Sequence, residues 1–319
     1  MTSMSTTTLP AAGVDSGRGA SRPGGLHARQ RKRQALIAWA FCLPFVAVFA
    51  VFMLFPIVGS FAMSFTDFTA RDITSPFAVN FVWFDQFATL FGDPRFLTSL
   101  GVTAIFVVVG IPVTMVLALA LALALNSGGG RIVAFFRVGF YAPVVTSIVA
   151  VAVVWRYILQ PDGLLNSALA LVGIDGPNWL NDPAFALPSL IMMAVWRNVG
   201  TLMVIFLAGL QAVPQDVNEA ATMDGASAWR RLTSVTLPLL RPTILLGAVL
   251  ISVGYLQFFE EAFVMTKGGP LDSTLSVAYY TFQQFGFGEY GLASAASYVL
   301  FLAIALLSLL QFRLLRSKD

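Results

Sequence analysis

Six apolar runs, at about 35–62, 98–125, 132–158, 187–210, 241–264 and 290–313, leave this chain few ways to fold. About 20 apolar residues in a helix cross the hydrocarbon layer of a bilayer. Within that layer only helices and closed barrels satisfy their own backbone hydrogen bonds. The expected fold is therefore an all-α membrane protein with six transmembrane helices. Leu117–Leu125, which alternates Leu and Ala, and Val299–Leu310 are the plainest stretches. The third and fourth runs carry Pro143 and Pro188, and the fourth also holds Arg197. Charge confirms the class: 11% of residues are charged, against about 25% in soluble domains.

Residues 1–35 are made differently, rich in Ser, Thr, Gly and Arg with no apolar period. They read as a disordered basic tail, leaving 36–319 as one transmembrane domain. The first apolar run has no small-x-small pattern at its end, so a retained span is expected rather than a removed leader. With the N-terminus placed in the cytoplasm, the inward segments hold fourteen Lys and Arg and the outward segments four. That bias places both termini in the cytoplasm. The outward loops, about 63–97, 159–186 and 265–289, carry Trp83, Trp155, Trp179 and Tyr290 at the expected water–lipid boundary. They are too short for an independent solute-capturing domain.

Several function classes fall away. The single Cys42 lies in an apolar run and the single His27 in the tail, which excludes a disulfide within the chain and any Cys- or His-based metal or catalytic set in the body. Gly128–Gly130 lacks the Lys-Ser/Thr of a phosphate-binding loop and reads as a turn between two spans. No nucleotide site or catalytic set is visible, so the chain is not expected to be an enzyme. The net charge of +3 is scattered over loops, which is no nucleic-acid signal.

Between the fourth and fifth runs lies a polar, helix-capable insert. Pro214 suits the first turn of a helix. That helix is expected to run to about Met223 and end at Gly225, where left-handed backbone is cheap. A second short helix, about Ala226 to Thr233, would carry Trp229 outward, and Pro238 and Pro242 would open the fifth span.

The pattern Glu219-Ala220-Ala221, three residues to Gly225, then Leu237-Pro238, resembles the coupling motif of inner-membrane permease subunits of binding-protein-dependent ABC importers. Asp224 matches as well. Thr266-Lys-Gly-Gly-Pro270, Ala278–Phe285 and the ending Leu309–Arg313 resemble the carbohydrate branch, of maltose and glycerol-phosphate type. The resemblance covers about residues 36–313. It implies a short helix docked in a cleft of a cytoplasmic ATPase, two copies of which drive the permease with ATP and Mg held on the ATPase. It also implies a second permease subunit, in a heterodimer, and an extracytoplasmic solute-binding protein. Physically, Ala220 and Ala221 allow close docking, Glu219 offers a carboxylate to a basic group or to its own helix, and Gly225 permits the bend. No cofactor is expected on this chain.

Polar groups inside spans are expensive and face a cavity or another helix. The fourth run offers Arg197, Asn198 and Thr201, with Arg197 and Thr201 on one helix face. The fifth offers Tyr255, Gln257, Glu260 and Glu261. The resemblance implies that Ala194, Arg197, Asn198, Thr201 and Tyr255 lie beside a sugar site. Asn198 and Gln257 supply planar hydrogen-bonding groups, and Tyr255 supplies an aromatic face. In the alternative, Arg197 pairs with Glu260 or Glu261 and only locks two helices. A competing function is a self-sufficient secondary transporter or channel. Such proteins often carry internal repeats and midplane carboxylates. No repeat is visible here, and Glu260 and Glu261 sit near the outer end of their span.

Overall fold

The computed structural model describes residues 24–75, 79–126, 128 and 130–315. Among them the secondary structure is helical apart from turns and one isolated bridge, Thr66 to Phe81. Two units are distinguished, dividing at Ile57.

In the first unit, α1 (Gly24–Phe49) passes through Pro44 and a π turn at Ala50–Leu54 before α2 (Phe55–Met63) begins. The part of the expected tail from Gly24 to Ala35 is therefore helical. Its Leu, Ala, Arg, Lys and Gln are good helix formers, and the segment holds no proline. Once the apolar run nucleates a helix, each added residue costs little. Residues 1–23 lie outside the described residues.

The second unit is built around α4 (Pro94–Asn126), α8 (Pro183–Gln211) and α12 (Arg241–Leu256). α4 packs chiefly on α8, and α12 lies against α4, α8 and α14 (Tyr290–Leu315). Small residues set the approach. A Cβ on Gly110 would fall 2.7 Å from the Tyr255 ring. One on Gly200 would fall 2.1 Å from the carbonyl oxygen of Phe140 in α5 (Arg131–Val145). Close backbone contact of this kind is how helices gain van der Waals energy where lipid gives no hydrophobic drive. Asp182 caps α8 by accepting from Ala184 N at 2.9 Å, and Pro183 opens the helix. At the opposite end of α4, Arg137 donates to the Leu125 carbonyl at 3.0 Å, a cation placed at a helix C-terminus.

Two expected spans are not single straight helices. The third breaks between α5 and α6 (Ile148–Ile158), which meet at 101°. Pro143 donates no backbone hydrogen bond, and Val144, Val145 and Thr146 after it are β-branched and disfavour the helix. Thr146 N closes a tight turn on Pro143 O at 3.3 Å, and α6 restarts after Ser147. The fifth run, expected to reach 264, leaves the helix after Leu256. Phe258 departs from the helical path to stack on Phe106 at 3.9 Å, and a π turn follows at Ala262–Thr266. Among the described residues four helices are long and apolar enough to cross a membrane, or up to six when each bent pair counts as one span.

The connectors carry further helices, α3 (Asp85–Gly92), α7 (Leu164–Ala170) and α13 (Val277–Phe287). α13 is clasped to the start of α4. Arg95 forks onto Asp272 through Nε and a terminal nitrogen, both at 3.0 Å. Tyr280 Oη donates to Asp93 at 2.6 Å, and Val277 N donates to Thr103 at 3.0 Å. Burial first, and the hydroxyl's bond to the Asp93 carboxylate second, push the Tyr280 phenol above its usual range, so it stays a donor. Asn80 donates from side chain and backbone to Asp67, holding that carboxyl below its usual range.

Candidate functional site

The polar insert folds as α9 (Gln215–Met223), α10 (Ala228–Arg231), a π turn at Leu232–Thr236 and α11 (Leu237–Leu239). α9 stops where the sequence indicates. Gly225 takes φ +74°, Ala226 N bonds Ala221 O, and Gly225 N bonds Thr222 O, both at 3.0 Å. This pair of bonds is the Schellman arrangement, which needs a left-handed residue at the position after the cap. A Cβ there would meet no atom within 4 Å, so the demand for glycine is conformational. Arg231 reaches back to the Thr222 hydroxyl and braces α10 against α9. Ser227 caps α10 by accepting from Arg230 N at 3.3 Å. The helix expected over Ala226–Thr233 is thus a four-residue turn running into a π turn, and a bend of 68° separates α11 from α12.

No residue of α9 is buried. Glu219, Ala220, Asp224, Gly225 and Pro238 are exposed, and Ala221 and Leu237 are half-buried. Among the described residues Glu219 has no ion-pair partner. Met223 and Trp229 stand out as strongly exposed apolar side chains beside it. Such a surface has a free carboxylate, small residues that permit close approach, and two large apolar side chains.

A second cluster lies at the junction of α4, α8 and α12. Tyr255 is buried, its ring edge-on to Phe106 at 5.2 Å and its hydroxyl 2.7 Å from Thr114 Oγ1. The hydroxyl faces Asn198 and lies in the field of Arg197 and Glu261. Asn198 donates from its amide to the Ala194 carbonyl at 2.8 Å. Arg197 Nε and Glu261 Oε2 are both buried without a hydrogen-bond partner. Among the described residues the ion pair is Arg95–Asp272, so Arg197 locks onto neither Glu260 nor Glu261.

Of the residues nominated from sequence, Ala194, Arg197, Asn198 and Tyr255 converge. Among the described residues no hydrogen bond joins Thr201, Gln257 or Glu260 to them, and Gln257 is exposed at the break after α12. Thr114 and Glu261 complete the cluster. Gly110, one helical turn before Thr114, is the sequence signal for the first, because it opens the gap that the Tyr255 ring fills. Glu261 was offered by the sequence beside Glu260, and of the two it is Glu261 that is buried, Glu260 being half-buried. Among the described residues no group of His, Cys, Asp and Glu is arranged to hold a metal.

The family described as the binding-protein-dependent transport system inner membrane component matches residues 110–317. A probable ABC transporter permease, YesP of Bacillus subtilis strain 168, is 36% identical over 291 residues, covering 89% of this chain and 92% of that protein. The lactose transport system permease LacF of Rhizobium radiobacter is 35% identical over 286 residues, covering 88% of this chain and 94% of that protein. The fold superposes with a TM-score of 0.74 on a chain of a bacterial alginate ABC transporter, crystallised in complex with an alginate pentasaccharide-bound periplasmic protein. That pair is 25% identical, with 90% of this chain and 96% of that chain covered.

Proposed function

The chain belongs to the inner-membrane component family of binding-protein-dependent transport systems, and on that premise we propose that it is the translocation subunit of an importer whose solute is a sugar. As a permease subunit of the inner membrane it passes solute and performs no chemistry on it. Family membership sets aside the self-sufficient transporter. Lactose and alginate, named for two relatives, are both carbohydrates. The cluster of Tyr255, Asn198 and Arg197 offers an aromatic ring, an amide and a cation to such a solute. Sugars need this mixture, because their rings have apolar faces and hydroxyl edges.

In the proposed arrangement both termini are cytoplasmic and α9 faces the cytoplasm. The exposed α9, closed by Gly225, carries this reading. It docks in a cleft of an ATPase subunit, Glu219 meeting a basic group and Ala220 and Ala221 allowing close contact. Two ATPase copies hold the ATP and Mg, a second permease subunit completes the pathway, and an extracytoplasmic binding protein delivers the sugar. Leu237 and Pro238, just before the 68° bend, transmit the movement of α9 to α12.

Uptake of labelled sugar into cells carrying Glu219→Lys or Gly225→Pro tests the docking. Both variants are expected to insert normally and to abolish uptake. Normal uptake by both would sink the docking role. For the sugar site, Tyr255→Ala and Arg197→Ala are expected to lower uptake while the complex still assembles. Unchanged uptake in both would remove them from the site.

A further inference from the structure

Lactose carries no charge and alginate is acidic, so the solutes named for two relatives leave open which kind of sugar this chain passes. Arg197, the only charged residue of α8 and at its midpoint, would by itself favour an acidic one. It does not stand by itself. Glu261 is 5% exposed and lies in the fields of Arg197 and of Glu260, its half-buried neighbour in the chain. Arg197 and Glu261 both act on the Tyr255 hydroxyl. The other two helices of the cluster add no charge at this depth. α4 has Arg95 and α12 has Arg241, each within the first two positions of its helix, and Arg95 is tied to Asp272.

Three side chains therefore fix the balance of charge. Arg197 cannot give up its proton. With both carboxyls ionised the cluster has an excess negative charge, and with one of them protonated it is neutral. An excess positive charge arises only if both carboxyls are protonated, which leaves a cation unbalanced in the middle of a span. A solute carboxylate entering the cluster thus meets no unmatched cation. It loses its water, gains no partner charge and is repelled by an ionised carboxyl. A neutral sugar brings no charge to desolvate, and its hydroxyls donate to a carboxylate and accept from a guanidinium equally well.

We propose that Glu261, together with Glu260, cancels the charge of Arg197 and sets the site for uncharged sugars, excluding uronates and other sugar anions. This rests on the sugar site proposed above at Tyr255, Asn198 and Arg197. The test uses the full chain assembled with its partner subunits in nanodiscs. Two probes of one shape, methyl β-glucoside and methyl β-glucuronide, differ by the carboxylate at C6, and saturation-transfer NMR titrations give the affinity for each. The parent is expected to favour the glucoside. Glu260→Gln with Glu261→Gln leaves Arg197 unbalanced, and this double variant is expected to bind the glucuronide about tenfold more tightly than the parent does. A role in packing alone predicts no such gain. A parent that favours the glucuronide, or a double variant that gains nothing for it, overturns the proposal and leaves the sugar site standing. If the double variant fails to assemble, Arg197→Gln leaves the carboxyls unopposed instead. A further shift of preference towards the glucoside then supports the proposal, and an unchanged preference defeats it. Binding of neither probe by parent or variants removes the sugar site itself, and this inference with it.

Discussion

α8 and α9 are separated by three residues and obey opposite rules. α8 has the least apolar window of the long helices, yet 61% of that window is buried, against 17% for the more apolar α14. In a membrane, high hydropathy marks a helix that meets lipid. The helix at the centre of the protein can afford small and polar residues because other helices surround it. Nothing in α9 is buried, Ala220 being exposed and Ala221 half-buried. The same residue types, Gly and Ala, therefore serve internal contact in one helix and lie at the surface in the next.

Four substitutions sharpen or break that contrast, read as the stability of the purified protein in nanodiscs. Gly200→Val forces side-chain atoms into the Phe140 carbonyl and is expected to cost about 3 kcal/mol or more, with little folded protein recovered. Gly225→Ala meets no steric obstacle, so only its left-handed backbone counts, and about 1–2 kcal/mol is expected. Tyr255→Phe removes the bond to Thr114 and is expected to cost about 1 kcal/mol. Glu219→Gln, exposed and unpaired, is expected to change stability by less than about 0.5 kcal/mol. For sugar uptake the contrast runs the other way at its small end: Glu219→Gln is expected to reduce transport although the fold is untouched. If Gly200→Val melted like the parent, or Glu219→Gln unfolded the protein, the contrast between the two helices would fail.

Much of this was legible in the sequence for reasons that can be named. The runs at 98–125, 187–210 and 290–313 became α4, α8 and α14, each helix extending a little beyond its apolar run. The end of α9 was legible because Asp-Gly after a helical stretch has few other conformations open to it. The breaks in the third and fifth runs were hidden by their own hydrophobicity. Val144-Val145 and Phe258-Phe259 extend an apolar count without extending a helix. The helices α3, α7 and α13 were missed because short connectors carry no long period to detect. At the buried cluster, residue types pointed to Arg197, Asn198 and Tyr255. That Arg197 and Glu261 each keep an unpaired buried atom depends on side-chain geometry across helices, which spacing along one chain does not encode.

The contact at Gly200 has a mechanical consequence. At Gly200 the α8 backbone lies directly on the Phe140 carbonyl, with no side chain between the two helices at that point. No rotamer change can widen or narrow the gap there, so the spacing of α5 and α8 is pinned at that contact. Any play between the spans is left to joints elsewhere, among them the 101° elbow after α5, the 68° elbow before α12 and the break after Leu256.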